Sequence, residues 1–368
     1  MTTVLVAGGG TGGHIFPGVA IARELMERLP GCEVLFVGTE RGLETKIVPA
    51  AGFRLLTIRS AGITGKRVWA KVKGLALIPL SFWQSLGVIG RTRPRLVIGV
   101  GGYSSGPVLA AAILRRVPTL IHESNYVPGA TNRWLAPYVS EVAVTFEESI
   151  GQLSGRGIVT GNPVRREFAH VTPRPGGAVR KNLLVFGGSQ GARAINRAVC
   201  DALPALAALK GRLFVTHQTG EADLGMVAAA YKEAGFAEGD AEVRPFIGGI
   251  WEAFANADLI VSRSGATTVA ELTAAGRPAI LVPFAAAAHD HQTFNARKLS
   301  AGGAALLIPE RELTGQRLAG AVVDLLADPD RLARMASASK SLSRPDAAAR
   351  IADLCVALVS RPAPAGGR

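Results

Sequence analysis

Gly8, Gly10 and Gly13 space a GxGxxG within GGGTGGHIFPG, directly after the apolar run Val4–Ala7 and before a helical stretch. Glycine lets the backbone come close to a ligand, and the first N–H groups of a helix lack intrahelical partners. The combination suits an anion, above all a phosphate. His14 stands at the junction of loop and helix, where the helix dipole disfavours imidazolium and favours a neutral ring able to take a proton. The plainer account is a solvated or capped helix-terminal histidine. GGYSSGP (Gly101–Pro107) follows the strand-like Leu96–Val100, and HESNYVPGATN (His122–Asn132) brings His122, Glu123, Asn125 and Asn132 to the same edge. Turn chemistry alone would also select Asn, Pro and Gly there.

The second half carries its own set. LLVFGGSQGARAINRAV repeats the strand–glycine–helix order of the N-terminus. SRSGATTVAELTAAG (Ser262–Gly276) leaves a strand for a helix with Glu271 about a turn inside. A carboxylate so placed can accept both cis hydroxyls of a ribose, and otherwise is a solvated helix acid. A nicotinamide-dinucleotide reading would use Glu40 at the end of the second strand. His14 would crowd the pyrophosphate, however, and the second glycine loop lacks the spacing. No GxxxxGK[ST] occurs, which excludes a Walker nucleotide triphosphatase. His289 and His291, with Asp290 between them, face opposite ways on a helix, so no metal and no cofactor is expected.

Positioning these loops requires many strands. Apolar, β-branched runs recur at Thr3–Ala7, Glu33–Val37, Leu96–Val100, Thr119–His122, Glu141–Val144 and Gly157–Thr160. A second series runs through Asn182–Phe186, Arg212–Thr216, Ala241–Pro245, Asp258–Ser262, Pro278–Val282 and Ala304–Leu307. Helix-length stretches separate most of them, which is the pattern of α/β domains with doubly wound parallel sheets. The expected organisation is a first domain over 1–168, a Pro/Gly linker over 169–181, a second domain over 182–345, and a C-terminal helix and tail over 346–368. Ligands of such sheets bind beyond the carboxyl ends of the strands, so two Rossmann-like domains facing across a cleft would supply two half-sites.

The chain has 368 residues, 48% hydrophobic, and a formal charge of +13, which points to phosphates or an anionic surface. Nucleic acid is not the expected partner, because aromatics are only 6% and do not interleave with the basic residues. Three scattered cysteines form neither a disulfide framework nor a zinc site and fit a reducing compartment. The N-terminus shows no secretion signal. Gly74–Gly90 is 17 residues without a charge, shorter than the roughly 20 a bilayer span needs. Pro79 is expected to break it into short pieces. Leu80, Phe82 and Trp83, ringed by Lys and Arg, read as an interfacial anchor on an anionic membrane.

GGGTGGHIFPG, GGYSSGP, HESNYVPGATN, GNPVRREF, FGGSQGARAIN, PFIGGIWEAFANADLIVSRSGATTVAEL and DHQTFNA, in this order, resemble the MurG family of bacterial N-acetylglucosaminyltransferases. The resemblance implies a GT-B fold. It implies inverting transfer of GlcNAc from UDP-GlcNAc to the 4-hydroxyl of undecaprenyl-pyrophosphoryl-MurNAc-pentapeptide (lipid I), giving lipid II. It places the donor in the second domain and the lipid-linked acceptor in the first. It also implies a peripheral location at the cytoplasmic face of the cell membrane, with protein partners drawn from the cell-wall machinery.

By the same resemblance, Thr11, Gly12 and Gly13 lie near the donor sugar and diphosphate, Asn125 and Arg165 join them, and Ser189 contacts the diphosphate. Ile247 offers its main chain to uracil, Ala266, Thr267, Thr268, Val269, Ala270 and Glu271 hold the nucleotide, and Gln292 meets the sugar hydroxyls. Some members have two glutamines where this chain has His291-Gln292. The expected base is His14, with Glu123 as a second catalytic-site group and Asn125 beside it. Rival readings are a diacylglycerol glycosyltransferase, a UDP-sugar 2-epimerase and a non-catalytic membrane-recruiting subunit. The first two share the fold, and the third is disfavoured by the presence of both halves in one chain.

Overall fold

The structure is a computed structural model that describes residues 2–60, 68–172, 180–188, 190–287 and 290–361, with backbone alone for 68–76. Two compact units result: one reaches Arg165 and takes up the chain again from Arg344, and the other is Arg166–Ser343.

The first unit runs β1 (Thr2–Gly8), α1 (Gly12–Arg28), β2 (Cys32–Gly38), α2 (Glu44–Ala50), β3 (Arg54–Thr57), α3 (Val68–Thr92), β4 (Leu96–Gly101), α4 (Ser105–Leu114), β5 (Thr119–Glu123), α5 (Ala130–Leu135), β6 (Glu141–Val144) and β7 (Ile158–Val159). Its strands form one parallel sheet in the order β3-β2-β1-β4-β5-β6-β7. A parallel sheet is covered on both faces, so its central strands are apolar throughout. Along β1, Val4 and Val6 pack into one core with Ile21 and Phe36, while Leu5 and Ala7 enter the other with Val97 and Val108.

The second unit runs α6 (Arg166–Ala169), β8 (Lys181–Phe186), α7 (Arg193–Leu206), β9 (Leu213–Gln218), α8 (Leu224–Glu233), β10 (Ala241–Arg244), α9 (Ile250–Asn256), β11 (Leu259–Ser262), α10 (Ala266–Ala275), β12 (Ala279–Leu281), α11 (His291–Ala301), β13 (Ala305–Leu307), α12 (Gly315–Leu326) and α13 (Pro329–Ser341). The sheet is again parallel, ordered β10-β9-β8-β11-β12-β13. Leu183 and Val185 of β8 share a core with Ile195 and Val199 of α7 and Leu318 and Val322 of α12. Last comes α14 (Ala347–Ser360), which belongs to the first unit. Its Ile351, Ala352 and Cys355 are buried in the core that holds Val6 and Phe36.

Two elements differ from the sequence expectation. β3 is absent from the strand runs above because its sequence, RLLT, is a short edge strand with both ends exposed. It forms by pairing Leu55 with Phe36 and Leu56 with Val37. Pro79 does not break the apolar run either: α3 is one helix of 25 residues. Its second half is held tightly enough to outweigh the missing proline N–H. Ser81 and Ser85 are buried, the Ser81 hydroxyl donates to Leu77 O at 2.8 Å, and Gln84 accepts from Arg59 N at 2.7 Å. Among the described residues no helix is long and apolar enough to cross a membrane.

In each sheet the order reverses direction once, between β1 and β4 and between β8 and β11. Ligands of open parallel sheets bind at such switch points. The loops that leave these strands are Gly9–Thr11 and Gly102–Ser104 in the first unit, and Gly187–Ala192 and Arg263–Gly265 in the second.

Candidate active site

In the first unit the two switch-point loops interlock. β1 and β4 are in register to Ala7 and Gly99, then slip by one residue so that Gly8 pairs Gly101. Gly101 and Gly102 both have left-handed backbones, with φ of 96° and 85°. A Cβ on Gly102 would collide with the Gly9 backbone, and one on Gly101 would stand 2.7 Å from His14 Cδ2 and 3.0 Å from Nε2. His14 therefore lies with one ring edge against β4's exit. Its Nδ1 is 3.3 Å from the Thr11 hydroxyl.

A carboxylate that sequence reasoning missed fixes this loop from below. Glu44 is 1% exposed and accepts from Gly10 N at 2.8 Å, from Thr39 N at 2.8 Å and from the Thr39 hydroxyl at 2.7 Å. Gly9, Gly38 and Gly42 press on it so closely that a side chain on any of them would overlap it. Burial raises its pKa, but the donated hydrogen bonds outweigh burial and hold the carboxyl below its ordinary value. Glu40, the acid considered for a dinucleotide, is exposed instead.

Glu123 is 3% exposed at the end of β5 and accepts four hydrogen bonds. Asn125 N (2.9 Å) and Nδ2 (3.2 Å) reach one oxygen, and Gly129 N (2.9 Å) and Asn132 Nδ2 (2.8 Å) the other. A carboxylate so saturated shapes its loop and orients Asn125. His122 is wholly buried, with Nε2 3.3 Å from Gly161 O. Burial pushes its pKa down to about 4, opposed by the Gly161 hydrogen bond and assisted by the nearby His14. Arg165 is half-buried, and its guanidinium stacks 4.4 Å from the centre of the Phe16 ring on α1.

In the second unit Gly188 and Gly191 of the β8 loop also have positive φ, and Gly191 abuts the Thr219 carbonyl with no room for a side chain. Gln218, at the end of β9 and 2% exposed, donates from Nε2 to Gly188 O at 2.8 Å and accepts from Ile247 N at 2.9 Å. This is a second residue that the sequence did not flag. Ile247–Gly249 border a cavity of about 350 Å³ that runs over Leu184, Phe214 and Thr216. α10 begins at Ala266 after the extended Gly265; Ala266, Thr267, Val269 and Glu271 are buried, Thr268 and Ala270 half-buried.

Gln292, in the first turn of α11, accepts from Phe284 N at 3.0 Å through its side chain, and its main-chain oxygen accepts from the Ser264 hydroxyl at 2.8 Å. Arg263 is buried and supports the β12 exit by donating to Val282 O, Pro283 O and Glu310 Oε2 at 3.2, 3.1 and 2.5 Å. Ser189 and His289 lie outside the described residues. Among the described residues no group of three His, Cys, Asp or Glu is placed to hold a metal ion.

Comparison with known proteins decides the family. Residues 4–144 match the glycosyltransferase family 28 N-terminal domain and residues 182–351 its C-terminal domain. The UDP-N-acetylglucosamine--N-acetylmuramyl-(pentapeptide) pyrophosphoryl-undecaprenol N-acetylglucosamine transferase of Anaeromyxobacter sp. (strain Fw109-5) is 49% identical, covering 97% of this chain and 94% of that protein. The chain belongs to glycosyltransferase family 28. The like-named transferase of Geobacter sulfurreducens is 47% identical over 96% of this chain and 98% of its own. The crystal structure of Acinetobacter baumannii MurG superposes with a TM-score of 0.75 at 31% identity, covering 96% and 99% of the two chains. The two family domains thus fall one on each parallel sheet, the C-terminal match running on into the start of α14, and each contains one of the switch points.

Proposed function

We propose that this chain transfers GlcNAc from UDP-GlcNAc to the 4-hydroxyl of the MurNAc sugar of lipid I, with inversion, to give lipid II. The observation that carries this reading is the near-full-length likeness to transferases of that name, joined to switch-point loops built for anions in both units. The second unit takes the donor. Ile247 already gives its N–H to Gln218, so uracil recognition falls to its carbonyl. Glu271 takes the ribose, and Ser189 with the start of α10 takes the diphosphate. The side-chain oxygen of Gln292 is engaged by Phe284, which leaves its NH2 to face a sugar hydroxyl. Thr11, Gly12, Gly13, Asn125 and Arg165 complete the donor contacts from the first unit.

A single displacement needs one base and forms no covalent intermediate. The acceptor oxygen attacks the anomeric carbon, the bond to UDP breaks, and the hydroxyl proton passes to His14. Nδ1 lies beside the Thr11 hydroxyl, and we assign the proton transfer to Nε2. Charge grows on the departing diphosphate, where loop N–H groups and the first turn of α10 stabilise it. Glu123 acts by orienting Asn125 and the loop that follows.

The lipid acceptor calls for a membrane-facing surface, and we assign it to α3, where Leu80 and Trp83 are exposed. This makes the protein peripheral on the cytoplasmic face. The deciding assay is incubation with UDP-GlcNAc and a short-chain lipid I analogue. A β-linked disaccharide product is expected; release of UDP with an epimerised free sugar would replace the transferase by an epimerase.

A further inference from the structure

Gln218 stands between two loops that the donor reading gives to different parts of the nucleotide. Gly188 belongs to the loop of the diphosphate, and Ile247 to the loop of the base. The chemistry of its partners fixes the amide's orientation: a main-chain carbonyl only accepts, so Nε2 faces Gly188, and a main-chain N–H only donates, so Oε1 faces Ile247. Around it the backbone is locked. Thr219 N donates to Arg244 O at 2.9 Å and Gly220 N to Pro245 O at 3.0 Å. Gly191 and Gly220 press on the facing backbones of Thr219 and Gln190.

We propose that Gln218 is a positioning residue that sets the diphosphate loop relative to the base loop, so that one UDP molecule meets both in register. The inference rests on the donor reading above. It assigns to a buried, uncharged side chain a role in recognising the nucleoside diphosphate as a unit. A residue that only filled space would serve as well with an apolar side chain of equal length. A strut of this kind requires a donor at one end and an acceptor at the other.

That requirement yields a test with a chemical signature. Gln218→Glu keeps the acceptor for Ile247 but, when ionised, turns an oxygen toward Gly188 O. When protonated, its hydroxyl donates there and the side chain reproduces the glutamine. Burial raises the pKa of such a carboxyl, which brings its titration toward neutral pH. Kd values for UDP and for uridine are measured by calorimetry at pH 8 and pH 5, each as a ratio to the parent so that titration of the nucleotide itself cancels.

The expected result for Gln218→Glu at pH 8 is UDP binding weakened at least tenfold with uridine within about threefold of the parent, and recovery of most of the UDP loss at pH 5. Gln218→Met is expected to lose UDP affinity at both pH values. An unchanged ratio of UDP to uridine affinity in both variants, or a loss in Gln218→Glu that pH 5 leaves in place with the fold intact by circular dichroism, overturns the proposal. Where Gln218→Met does not fold, the pH arm of Gln218→Glu decides alone. Failure of the parent to bind UDP would overturn the donor reading itself, and that outcome is distinct from parent binding with an unchanged ratio.

Discussion

The imidazole of His14 rests on the α-carbon of Gly101: a Cβ there would stand 2.7 Å from His14 Cδ2. Gly101 also holds φ at 96°, a conformation that side chains disfavour. Gly101→Ala therefore strains the β4 exit and displaces the proposed base together. Shifts of about 1 Å in a reacting group cost on the order of 10²-fold in rate. We expect kcat to fall by that order with KM for UDP-GlcNAc within a few-fold of the parent. His14→Ala should lower kcat by roughly 10²–10⁴ with UDP affinity retained. Steady-state kinetics on both variants checks this, and a His14→Ala enzyme with near-parental kcat would make His14 structural.

Glu44 predicts a different failure. Glutamine in its place must turn an NH2 group toward either Gly10 N–H or the Thr39 donors, so at least one buried hydrogen bond to a charged acceptor is lost. Such bonds are worth about 1.5–3 kcal/mol. Glu44→Gln is expected to lower stability in urea by about that amount and to loosen the loop that carries Thr11 and His14. Its folded pKa is depressed, so the parent holds this stability above the unfolded carboxyl pKa and loses it as pH falls through the folded one. The variant should lack that acid limb.

Much of the architecture was legible because a parallel strand buried on both faces leaves a continuous apolar word such as VLVA at Val4–Ala7. RLLT at the sheet edge leaves no such word. Glu44 and Gln218 escaped notice for a related reason. Their residue types suggest solvent, and their burial arises only when glycines far apart in sequence close around the carboxylate, or two strand exits close around the amide. His14 and Glu271 stood out in the sequence because strand–glycine–helix order itself marks where helix starts point. Glu123 was singled out as a positioning group beside Asn125, but the four hydrogen bonds that engage it arise only once the loop folds back over the end of β5.

One buried histidine in each unit adds to its acid response. His122 has a folded pKa of about 4 and His217 of about 3, both depressed chiefly by burial. His217 is neutral with Nε2–H toward Asn196 Oδ1 at 3.1 Å and Nδ1 accepting from the Tyr231 hydroxyl at 3.3 Å. The unfolded chain binds these protons near pH 6.5, so stability is complete above that value. It falls as pH drops toward 4 and then 3, by on the order of 3 kcal/mol per histidine. Melting temperature should decline from pH 6.5 to 4.5, and His217→Gln should make the decline shallower. A parent profile flat across that range would contradict the burial of both rings.

The donor assignment turns on Glu271, buried in α10 and 5% exposed. If it accepts the ribose hydroxyls, Glu271→Ala removes charge-assisted bonds worth about 1.5–3 kcal/mol, or roughly ten- to 150-fold in affinity. The loss should fall on UDP and uridine alike, since both carry the ribose. That pattern separates it from Gln218→Glu, which spares uridine. Unchanged UDP binding in Glu271→Ala would remove the residue from the site.

The membrane prediction changes with the orientation of α3. Trp83 is 70% and Leu80 40% exposed, three residues apart on one helical face. Phe82 turns inward, packing with Leu86 against the core that holds Val88 and Ile89. Phe82→Ser is therefore a stability lesion, and the informative variant is Leu80→Ser with Trp83→Ser. From Lys46 to Arg116 the chain carries 12 Lys or Arg and no Asp or Glu, each worth about 1 kcal/mol near an anionic leaflet. Salt screens that attraction. The parent should co-sediment with phosphatidylglycerol vesicles more than with phosphatidylcholine vesicles, and less at high salt. The double variant should stay in the supernatant with an unchanged melting temperature. Equal binding to both vesicle types, or sedimentation of the double variant at the parental level, would place the membrane contact elsewhere.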